Sequence, residues 1–368
     1  MVAPSLNLSG QLHRGNDKSL HWISRSESLH KKDMNVSKFK VVVTDHIIRQ
    51  DGLDLLRAEG GEVVVLRAHS PDEALFEAVE DADGMMARSV TVTARLLELA
   101  PKLKVVSRHG VGYENVDLQT CTRLGIAVSI SSDANSQSVA EYAFAMMMAS
   151  AKNIVQSDRA VRANVWARDN SSAVEFHGQT LGIVGLGRIG SRLARLRSGF
   201  EMTVLVYDPY ATDEAIESCG ARRAELDDLL ETADFVSLHV PLTEETRHII
   251  GRDELGRMKR SAILVNTARG GLIDESALVD ALNEGEIARA AIDVFEEEPL
   301  ANDHPLTKLD PVICTAHVAG QTQASLVRTS IVAAENILAV LRGDAPEVLV
   351  NPEVLENRNR VSWIIDPT

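Results

Sequence analysis

The chain has 368 residues, of which 45% are hydrophobic and 25% charged, so it has the composition of a globular protein and a length that favours two domains. A formal net charge of −15 argues against nucleic acid or an anionic membrane as a partner, and no uninterrupted apolar run approaches the ~18 residues of a membrane span. Three widely spaced cysteines form no CxxC pair, which argues against a disulfide framework or a zinc site and suits the reducing cytosol.

Residues 1–37 are polar, rich in Ser, His and basic residues, and have no sustained period. A secretory signal would need a continuous apolar core, which this segment lacks. An organelle presequence is an alternative, although Asp17 and Glu27 weigh against it. We expect a flexible extension, or a start codon placed too early with Met34 as the better start.

From Phe39 onward, short aliphatic runs alternate with amphipathic stretches, as in a parallel α/β sheet covered on both faces. The predicted strands are Val41–Val43, Glu62–Leu66, Gly84–Ala87, Leu103–Ser107 and Ile126–Ile130. Residues 135–166 then run without Pro or Gly, which predicts a long helix that bridges two domains or lines a subunit contact.

A second alternating series contains six apolar runs, which is the number of strands in a complete dinucleotide-binding sheet: TLGIVGLG, TVLVYD, FVSLHV, AILVNT, AAIDVF and VICTAH. The amphipathic helix after His317 is followed by no strand, so we expect it to return to the first domain. The predicted boundaries are a discontinuous domain of residues 38–135 and 319–350, a second domain of residues 136–318, and a C-terminal tail of residues 351–368.

The glycines at 185, 187 and 190 form G-x-G-x-x-G between an apolar strand and a helix, with Arg188 and Ile189 inside the motif. The first glycine permits a tight turn, the second lets the backbone approach a pyrophosphate, and the third lets the helix pack on the strand. Amides at the helix start, with the helix dipole, would hold the phosphates. The motif predicts a dinucleotide site.

Asp208 ends the next apolar run, 18 residues past Gly190, where a carboxylate accepts hydrogen bonds from the adenosine ribose. The alternative is an aspartate that only caps a turn before Pro209. No arginine stands in the neighbouring turn to take a 2′-phosphate. We therefore predict NAD rather than NADP as the cofactor.

Three polar side chains follow apolar runs of the second series: Arg269, Glu298 and His317. Ligands of such sheets sit at the carboxyl ends of the strands. Arg269 suits a carboxylate or an α-keto acid, because its fork pairs with two oxygens, and Gly270 and Gly271 after it would let another molecule approach. His317 suits proton transfer to a carbonyl, and Glu298 would stabilise its imidazolium form and orient the ring.

Each of these side chains also has an ordinary structural interpretation. Arg269 could cap a helix or pair with a surface carboxylate, and a lone histidine is more often structural than catalytic. The acidic run that contains Glu298 could be a solvated surface, and we assign Glu296 and Glu297 to that. Arg, Glu and His on successive strand ends after a dinucleotide motif are much harder to produce by chance.

Several segments closely resemble the D-isomer-specific 2-hydroxyacid dehydrogenase family, from about residue 38 to about 350: TLGIVGLGRIG, HVPLTEETRHII, NTARGGLIDESALVDAL, AAIDVFEEEPL and TAHVAG. The resemblance implies an α/β enzyme of two Rossmann-like domains, with a doubly wound NAD-binding sheet and a discontinuous flavodoxin-like substrate-binding domain. It implies Arg269 as the substrate binder, His317 as acid/base with Glu298 as its partner, and a homodimer to which residues 135–166 contribute.

The resemblance also implies the roles of residues outside this trio. Asp293 would help to set the protonation behaviour of the histidine. The substrate loops would contribute Arg88, Ser89 and the backbone amides of Val111 and Gly112. The cofactor would be lined by His239, Pro241, Thr246, Thr267, Asp293 and Gly320.

Two positions qualify this assignment. Ala316 stands where the family usually has proline, which loosens the backbone before His317. His109, beside the substrate loop, is a competing candidate for the catalytic base that we rank below His317.

Arg88 and Arg108 are the candidate cations if the substrate carries a phosphate.

The predicted function is hydride transfer between NAD(H) and a small D-2-hydroxy acid/2-keto acid pair of the 3-phosphoglycerate, hydroxypyruvate or glyoxylate class, in the cytoplasm, with no metal. Two alternatives remain: an NAD-sensing protein like the transcriptional corepressors built on this fold, and a dehydrogenase of phosphite type.

Overall fold

The computed structural model describes residues 39–68, 70–166, 168 and 173–356, so the predicted extension of residues 1–37 lies outside the described residues. Five parallel strands form a first sheet in the order β2-β1-β3-β4-β5. They are β1 (Lys40–Val43), β2 (Glu62–Val65), β3 (Gly84–Ala87), β4 (Val105–Arg108) and β5 (Ala127–Ile130). This is the flavodoxin-like order, and it confirms the predicted fold of the first half.

Four helices connect these strands: α1 (Gln50–Ala58), α2 (Asp72–Val79), α3 (Ala94–Glu98) and α4 (Leu118–Leu124). Local sequence fixes the ends of α4, because the Asp117 side chain accepts a hydrogen bond from the Thr120 amide, and Gly125 closes the helix at φ 77°. Helices on both faces bury β3 and β5 completely, which is why these strands read as continuous apolar runs.

The predicted long helix over residues 135–166 is two helices, α5 (Ser136–Ala151) and α6 (Ile154–Arg162). The break falls at Asn153, which adopts a left-handed conformation with φ 53°, a region that asparagine tolerates better than most residues. α5 packs against the second sheet and buries Met146 and Met147, whereas α6 buries none of its residues. The absence of Pro and Gly therefore did not guarantee one helix.

Seven parallel strands form the second sheet, in the order β12-β11-β10-β9-β6-β7-β8. They are β6 (Thr180–Val184), β7 (Thr203–Tyr207), β8 (Arg222–Arg223), β9 (Phe235–Leu238), β10 (Ile263–Asn266), β11 (Arg289–Ile292) and β12 (Val312–Cys314). This is the Rossmann order with one additional strand. The six predicted strands are present, and the seventh, β8, has only two exposed arginines and no apolar signal.

The helices of this half are α7 (Arg188–Leu196), α8 (Asp213–Ser218), α9 (Leu226–Thr232), α10 (Arg252–Arg257) and α11 (Glu275–Glu284). α7 begins directly after β6 and the glycine motif, so its first amides point toward the switch between β6 and β9. Parallel pairing aligns the carboxyl ends of β9 to β12 along one edge. The polar residues that follow these strands are therefore neighbours.

The last helix, α12 (Gln323–Leu341), packs against α1, β3, β4 and β5 of the first sheet, as expected from the sequence. Among the described residues it is the one helix long and apolar enough to cross a membrane, although most of it is buried against that sheet. The chain thus passes between the sheets twice, through residues 131–179 and 315–322.

The segment predicted as a tail from residue 351 begins with packed residues. Asn351 is buried, its side-chain oxygen accepts from the Val128 amide, and its nitrogen donates to the Ile126 carbonyl. A 3₁₀ turn at Pro352–Glu356 buries Val354. Residues 351–356 therefore belong to the first sheet's surroundings, residues 357–368 lie outside the described ranges, and the other domain boundaries stay predictions.

Candidate active site

The glycine motif forms the turn between β6 and α7. Gly185 has φ 96°, and a Cβ there would lie 2.8 Å from the Val240 nitrogen. A Cβ on Gly190 would overlap the Gly185 carbonyl, so this glycine lets α7 pack on β6. Gly187 begins α7 with nothing within 4 Å of a Cβ position, which leaves its backbone open to a ligand. The tight turn at Gly185 and the helix packing at Gly190 are as the motif predicts, and binding of a pyrophosphate at Gly187 stays a prediction.

Asp208 connects this turn to the end of β7. One carboxylate oxygen accepts from the Leu186 amide at 2.8 Å, and the other accepts from the amides of Tyr210 and Ala211. Asp208 therefore does cap the turn that follows it, as the alternative interpretation predicted. A carboxylate has about four lone-pair positions, so one on Oδ2 remains for a ribose hydroxyl beside the glycine turn.

An arginine does approach the Asp208 turn, from β8 rather than from the neighbouring sequence. Arg223 donates from Nη1 to the Asp208 carbonyl, from Nη2 to the Ala211 carbonyl and from Nε to Asp213. The prediction considered only the turn next to Asp208 in sequence, which has no arginine, and so did not anticipate this contact from β8. These three bonds hold the guanidinium to the turn itself.

Two buried polar atoms at the strand ends have no hydrogen-bond partner among the described residues: His239 Nδ1 after β9 and Thr267 Oγ1 after β10. Buried polar atoms without a bond are costly, so both positions suit the polar groups of a bound cofactor. Desolvation lowers the pKa of His239 to about 4, which keeps its ring neutral. Thr246 instead donates to the Pro241 carbonyl at 2.6 Å and closes its own loop.

His317 and Glu298 form a direct pair across the ends of β11 and β12. His317 Nδ1 donates to Glu298 Oε2 at 2.8 Å, and the Phe295 amide donates to Oε1 at 3.0 Å. Desolvation opposes ionisation of Glu298, but the bonds from His317 and Phe295 and the charge of Arg269 outweigh it and lower the pKa of Glu298. An ionised Glu298 leaves His317 Nε2 as the ring atom for chemistry.

Asp293 anchors the loop that carries His317. Its carboxylate is fully buried and accepts from Thr315 Oγ1 and from the amides of Val318 and Ala319. Its carbonyl accepts from the His317 amide at 2.7 Å. His317 itself has φ 53°, a strained conformation that these bonds maintain without the proline missing at Ala316. Asp293 thus acts on His317 through the backbone rather than through the ring.

Arg269 follows β10 and lies against the substrate loop of the first half. Its Nε donates to Glu114 Oε1 at 2.9 Å, and its Nη1 donates to the Ala268 carbonyl. A Cβ on Gly112 would overlap Arg269 Nη2. The predicted substrate loop and the predicted substrate arginine therefore meet, with the Glu114 carboxylate between them.

The glycines after Arg269 have a different role from the predicted one. A Cβ on Gly270 would overlap the backbone of Phe295 and Glu296, and one on Gly271 would lie 3.1 Å from Leu242. Both glycines are buried in a 3₁₀ turn over Gly270–Leu272. They let protein segments pack closely.

The remaining predicted residues contact several segments of both halves. Arg88 contacts Asp45, His109 and Gln321, and Ser89 donates to Asp45 at 2.9 Å. Val111 is half-buried beside Gly112. Gly320 lies against Asn135, and Arg188, at the start of α7 with Ile189, approaches the Ser132 carbonyl at 3.5 Å.

Arg108 is committed to the substrate loop. It donates from Nε to the Gly112 carbonyl and from Nη1 to the carbonyls of Ala87 and Arg88. Burial lowers the pKa of Arg108 to about 10, which leaves it charged at neutral pH. Three of its five N–H groups thus hold backbone, which makes it a poor candidate for a substrate phosphate.

Sequence reasoning missed two carboxylates of this cleft. Asp45 follows β1, so the rule about strand ends could have found it. Glu114 had no such signal, because its partner Arg269 is 155 residues away. Within the described part of the chain, no group of three His, Cys, Asp or Glu residues is placed to hold a metal ion.

Comparison with known sequences identifies the second half directly. Residues 144–319 match the model described as D-isomer specific 2-hydroxyacid dehydrogenase, NAD binding domain. D-3-phosphoglycerate dehydrogenase of Methanocaldococcus jannaschii is 45% identical over 314 residues, which are 85% of this chain and 59% of that protein. Glyoxylate reductase of Korarchaeum cryptofilum is 43% identical over 291 residues, 78% of this chain and 88% of that protein. The chain therefore spans less than two thirds of the first relative and most of the second.

Solved structures agree over nearly their whole length. The TT0316 protein from Thermus thermophilus superimposes with a TM-score of 0.78 at 35% identity, covering 84% of this chain and 99% of that one. The apo-structure of D-lactate dehydrogenase from Escherichia coli gives 0.76 at 26% identity, with 84% and 99% covered. With the sheet orders, the glycine turn and these relatives in agreement, the chain belongs to the D-isomer-specific 2-hydroxyacid dehydrogenase family and carries its NAD-binding domain.

Proposed function

We propose that this chain transfers hydride between NAD(H) and a small, unphosphorylated D-2-hydroxy acid/2-keto acid pair. The observation that carries the proposal is the 2.8 Å bond between His317 Nδ1 and Glu298 Oε2, beside Arg269, at three successive strand ends of the NAD sheet. The fold and the glycine turn explain cofactor binding, but only this trio supplies an acid/base and an anion binder.

His317 is the proposed acid/base. Its Nδ1 is held by Glu298, so Nε2 gives a proton to the carbonyl oxygen during reduction and takes it from the hydroxyl during oxidation. The ionised Glu298 stabilises the imidazolium form that reduction requires. Left-handed backbone at His317, fixed by Asp293, sets the direction of the ring.

Arg269 is the proposed binder of the substrate carboxylate and carbonyl. A guanidinium pairs with two oxygens at once and polarises the carbonyl as hydride arrives. The amides of Val111 and Gly112, on the loop that Arg108 holds, would complete the carboxylate site. The substrate anion would replace the Glu114 carboxylate that Arg269 binds in this structure.

NAD would lie over the carboxyl ends of β6, β9 and β10, with its pyrophosphate at the first amides of α7 and its ribose at Asp208. When bound, the nicotinamide supplies or accepts the hydride. The unpartnered His239 Nδ1 and Thr267 Oγ1 support this placement, since a cofactor would satisfy both.

The charges of the cleft favour a substrate without a phosphate. Arg108 holds backbone carbonyls, and the buried Asp45 lies 3.4 Å from Arg88 Nε. Glu114 adds a further negative charge beside Arg269. A phosphate dianion would lie beside two carboxylates, while Arg108 holds backbone and the remaining donors of Arg88 and Arg269 serve the keto acid itself. Glyoxylate or hydroxypyruvate therefore fits better than a phosphorylated substrate.

Steady-state kinetics with a matched pair test this proposal. Hydroxypyruvate and 3-phosphohydroxypyruvate differ only by the phosphate, and we expect kcat/KM to favour hydroxypyruvate at least tenfold, with glyoxylate also reduced. A preference for the phosphorylated substrate would refute the assigned class. NADH binding without turnover of any 2-keto acid would refute the enzyme assignment and favour the NAD-sensing alternative.

We also propose that the protein is a homodimer that uses α6. This helix buries none of its own residues, and the apolar side chains of Ile154, Val161, Val165 and Trp166 are exposed on it and just after it. Light scattering should give twice the chain mass of 40.0 kDa, and replacement of Val161 and Trp166 by Glu should give the monomer. A monomeric wild type at micromolar concentration would refute the dimer.

The cytoplasm is the proposed location, supported by three free cysteines and an acidic surface. Fractionation of cells that express the full chain should recover it in the cytoplasmic fraction, and recovery with an organelle or an envelope would refute this.

A further inference from the structure

A buried histidine outside the proposed catalytic pair is bonded through both ring nitrogens. His109 follows β4 and is 4% exposed. Its Nδ1 lies 3.0 Å from Arg88 Nη1, and its Nε2 lies 2.9 Å from the Ser330 hydroxyl on α12. Catalysis as described above makes no use of this ring.

The neighbours of His109 determine which nitrogen carries the proton. Ser330 Oγ donates its hydrogen to the Leu326 carbonyl and accepts from the Arg49 amide, both at 2.8 Å. Its contact with His109 must therefore be a second accepted bond, so His109 Nε2 is the donor. Nδ1 is then an acceptor, which is the role that a guanidinium N–H requires.

Charge is consistent with this tautomer. Burial, together with the nearby Arg88, lowers the pKa of His109 to about 3, so the ring is neutral at physiological pH. A protonated ring would direct an N–H at the Arg88 guanidinium and would break the bond. The neutral ring holds Arg88 without adding charge to the substrate site.

The far side of Arg88 is tied to the loop that carries His317. Arg88 Nη2 donates to Gln321 Oε1 at 3.1 Å, and the Gln321 amide donates to the Val318 carbonyl at 2.8 Å. One N–H of Arg88 Nη1 is bonded to His109 and one of Nη2 to Gln321, and Nε forms an ion pair with Asp45 at 3.4 Å. Two N–H groups remain for a substrate oxygen.

We infer that His109 is a positioning residue for substrate binding, which orients Arg88 between α12 and the His317 loop through an acceptor Nδ1. This inference rests on the proposed function of Arg88 in binding the keto acid. His109 touches neither substrate nor cofactor in this arrangement, so its effect should fall on KM more than on kcat.

Two amide variants separate the two bonds of the ring. His109→Asn places an oxygen near the Nδ1 position and keeps an acceptor for Arg88. His109→Gln places its amide near the Nε2 position and keeps the link to Ser330 only. We expect His109→Asn to retain the wild-type KM for hydroxypyruvate within about threefold, and His109→Gln to raise it roughly tenfold, with a smaller change in kcat.

Arg88→Ala and the double variant Arg88→Ala/His109→Gln provide the controls. Arg88→Ala should raise KM as well, and His109→Gln should add nothing further to it. Equal KM values for the two His109 variants, or additive effects in the double variant, would overturn the inference. If Arg88→Ala leaves KM unchanged while turnover persists, both the role of Arg88 and this inference fail, but the proposed reaction stands.

A spectroscopic measurement on the wild-type protein tests the inference even if the variants fail to fold. A two-bond ¹H–¹⁵N spectrum should show His109 with a protonated Nε2 and an unprotonated Nδ1. A protonated Nδ1 would overturn the inference without any substitution.

Discussion

Arg269 Nε donates to Glu114 Oε1 at 2.9 Å and so joins the proposed anion binder of the NAD half to the substrate loop of the other half. Desolvation opposes ionisation of Glu114, but the charge and hydrogen bond of Arg269 outweigh it and lower the pKa of this carboxyl. The carboxylate thus occupies the donor that a substrate carboxylate needs. The Glu114 side chain is 64% exposed, so water and salt weaken the pair and a substrate can replace it.

Glu114→Gln should therefore lower KM for glyoxylate or hydroxypyruvate. The substitution keeps the size of the side chain and removes the competing charge, and exposed pairs of this kind are worth roughly 0.2–1 kcal/mol, so the change should be about twofold to fivefold. Steady-state kinetics at low and high salt would measure it, and the difference should shrink as salt rises. An unchanged or higher KM would show that Glu114 supports the loop instead.

His317→Ala and Arg269→Ala should differ in their kinetic effects. Loss of the proton donor should lower kcat by about 10²–10⁴, with little change in KM. Loss of Arg269 removes both an anion contact and carbonyl polarisation, so kcat should fall and KM should rise. Initial rates over a range of keto acid concentrations separate the two. His109→Ala is the comparison, and a kcat loss there as large as in His317→Ala would show that the acid/base is wrongly assigned.

Glu298→Gln should move the alkaline limit of keto acid reduction to lower pH. The hydrogen bond and charge of His317 help to lower the pKa of Glu298, so the two groups stabilise each other when both are charged. Reduction needs a proton on the ring, so loss of the negative charge should remove activity from a lower pH upward. The kcat/KM for reduction between about pH 5 and pH 10 measures this limb. Glu297→Gln, a neighbouring exposed carboxylate, should leave the limb in place, and equal behaviour of the two variants would contradict the pairing.

Cofactor preference should follow Asp208. A 2′-phosphate would face this carboxylate at a cost of about 2–3 kcal/mol, or roughly a hundredfold in favour of NADH. Arg223 does not offset this, because its three nitrogens bind the turn and Asp213. The ratio of kcat/KM for the two cofactors is the measurement, and Asp208→Ser should reduce it. Comparable use of NADPH by the wild type would refute the assignment.

Stability should fall as pH drops below about 6.5, and His109 should contribute to the fall. Its folded pKa is about 3, so the unfolded chain binds a proton that the folded chain does not. The free energy of unfolding then decreases by about 1.4 kcal/mol per pH unit from this group. Urea unfolding at about pH 6.5 and pH 5 should show a shallower dependence in His109→Asn, and parallel dependences would contradict the value. His239, whose pKa is about 4, contributes with the same sign in both proteins.

The sequence was sufficient for the features that follow from local patterns. Buried parallel strands read as apolar runs, and polar residues directly after them meet at one sheet edge, so Arg269, Glu298 and His317 could be placed together. β8 was not predictable, because two arginines carry no apolar pattern and pair only through their backbone. The break at Asn153 depends on one left-handed residue that no glycine or proline announced.

Contacts between distant segments were the other limit. Gly270 and Gly271 were expected to let another molecule approach, but the segment that packs against Gly270 is the backbone after β11, which is not adjacent in sequence. Asp293 was expected near the histidine, yet only the structure shows that it binds the backbone of the loop. The role of a side chain cannot be predicted from the sequence alone when its partner lies on another strand or another sheet.

The two crossings between the sheets touch each other. Gly320 lies against the Asn135 side chain, with a Cβ-to-Nδ2 separation of 3.2 Å if a Cβ were present, and the hydroxyls of Ser138 and Thr322 are 2.7 Å apart. Because both covalent links between the two sheets meet here, any rotation of one half against the other would pivot at this contact. His317 is three residues from Gly320 and would stay near that pivot during such a rotation. A side chain larger than glycine at position 320 would press against Asn135 and would change the angle between the two halves of the protein.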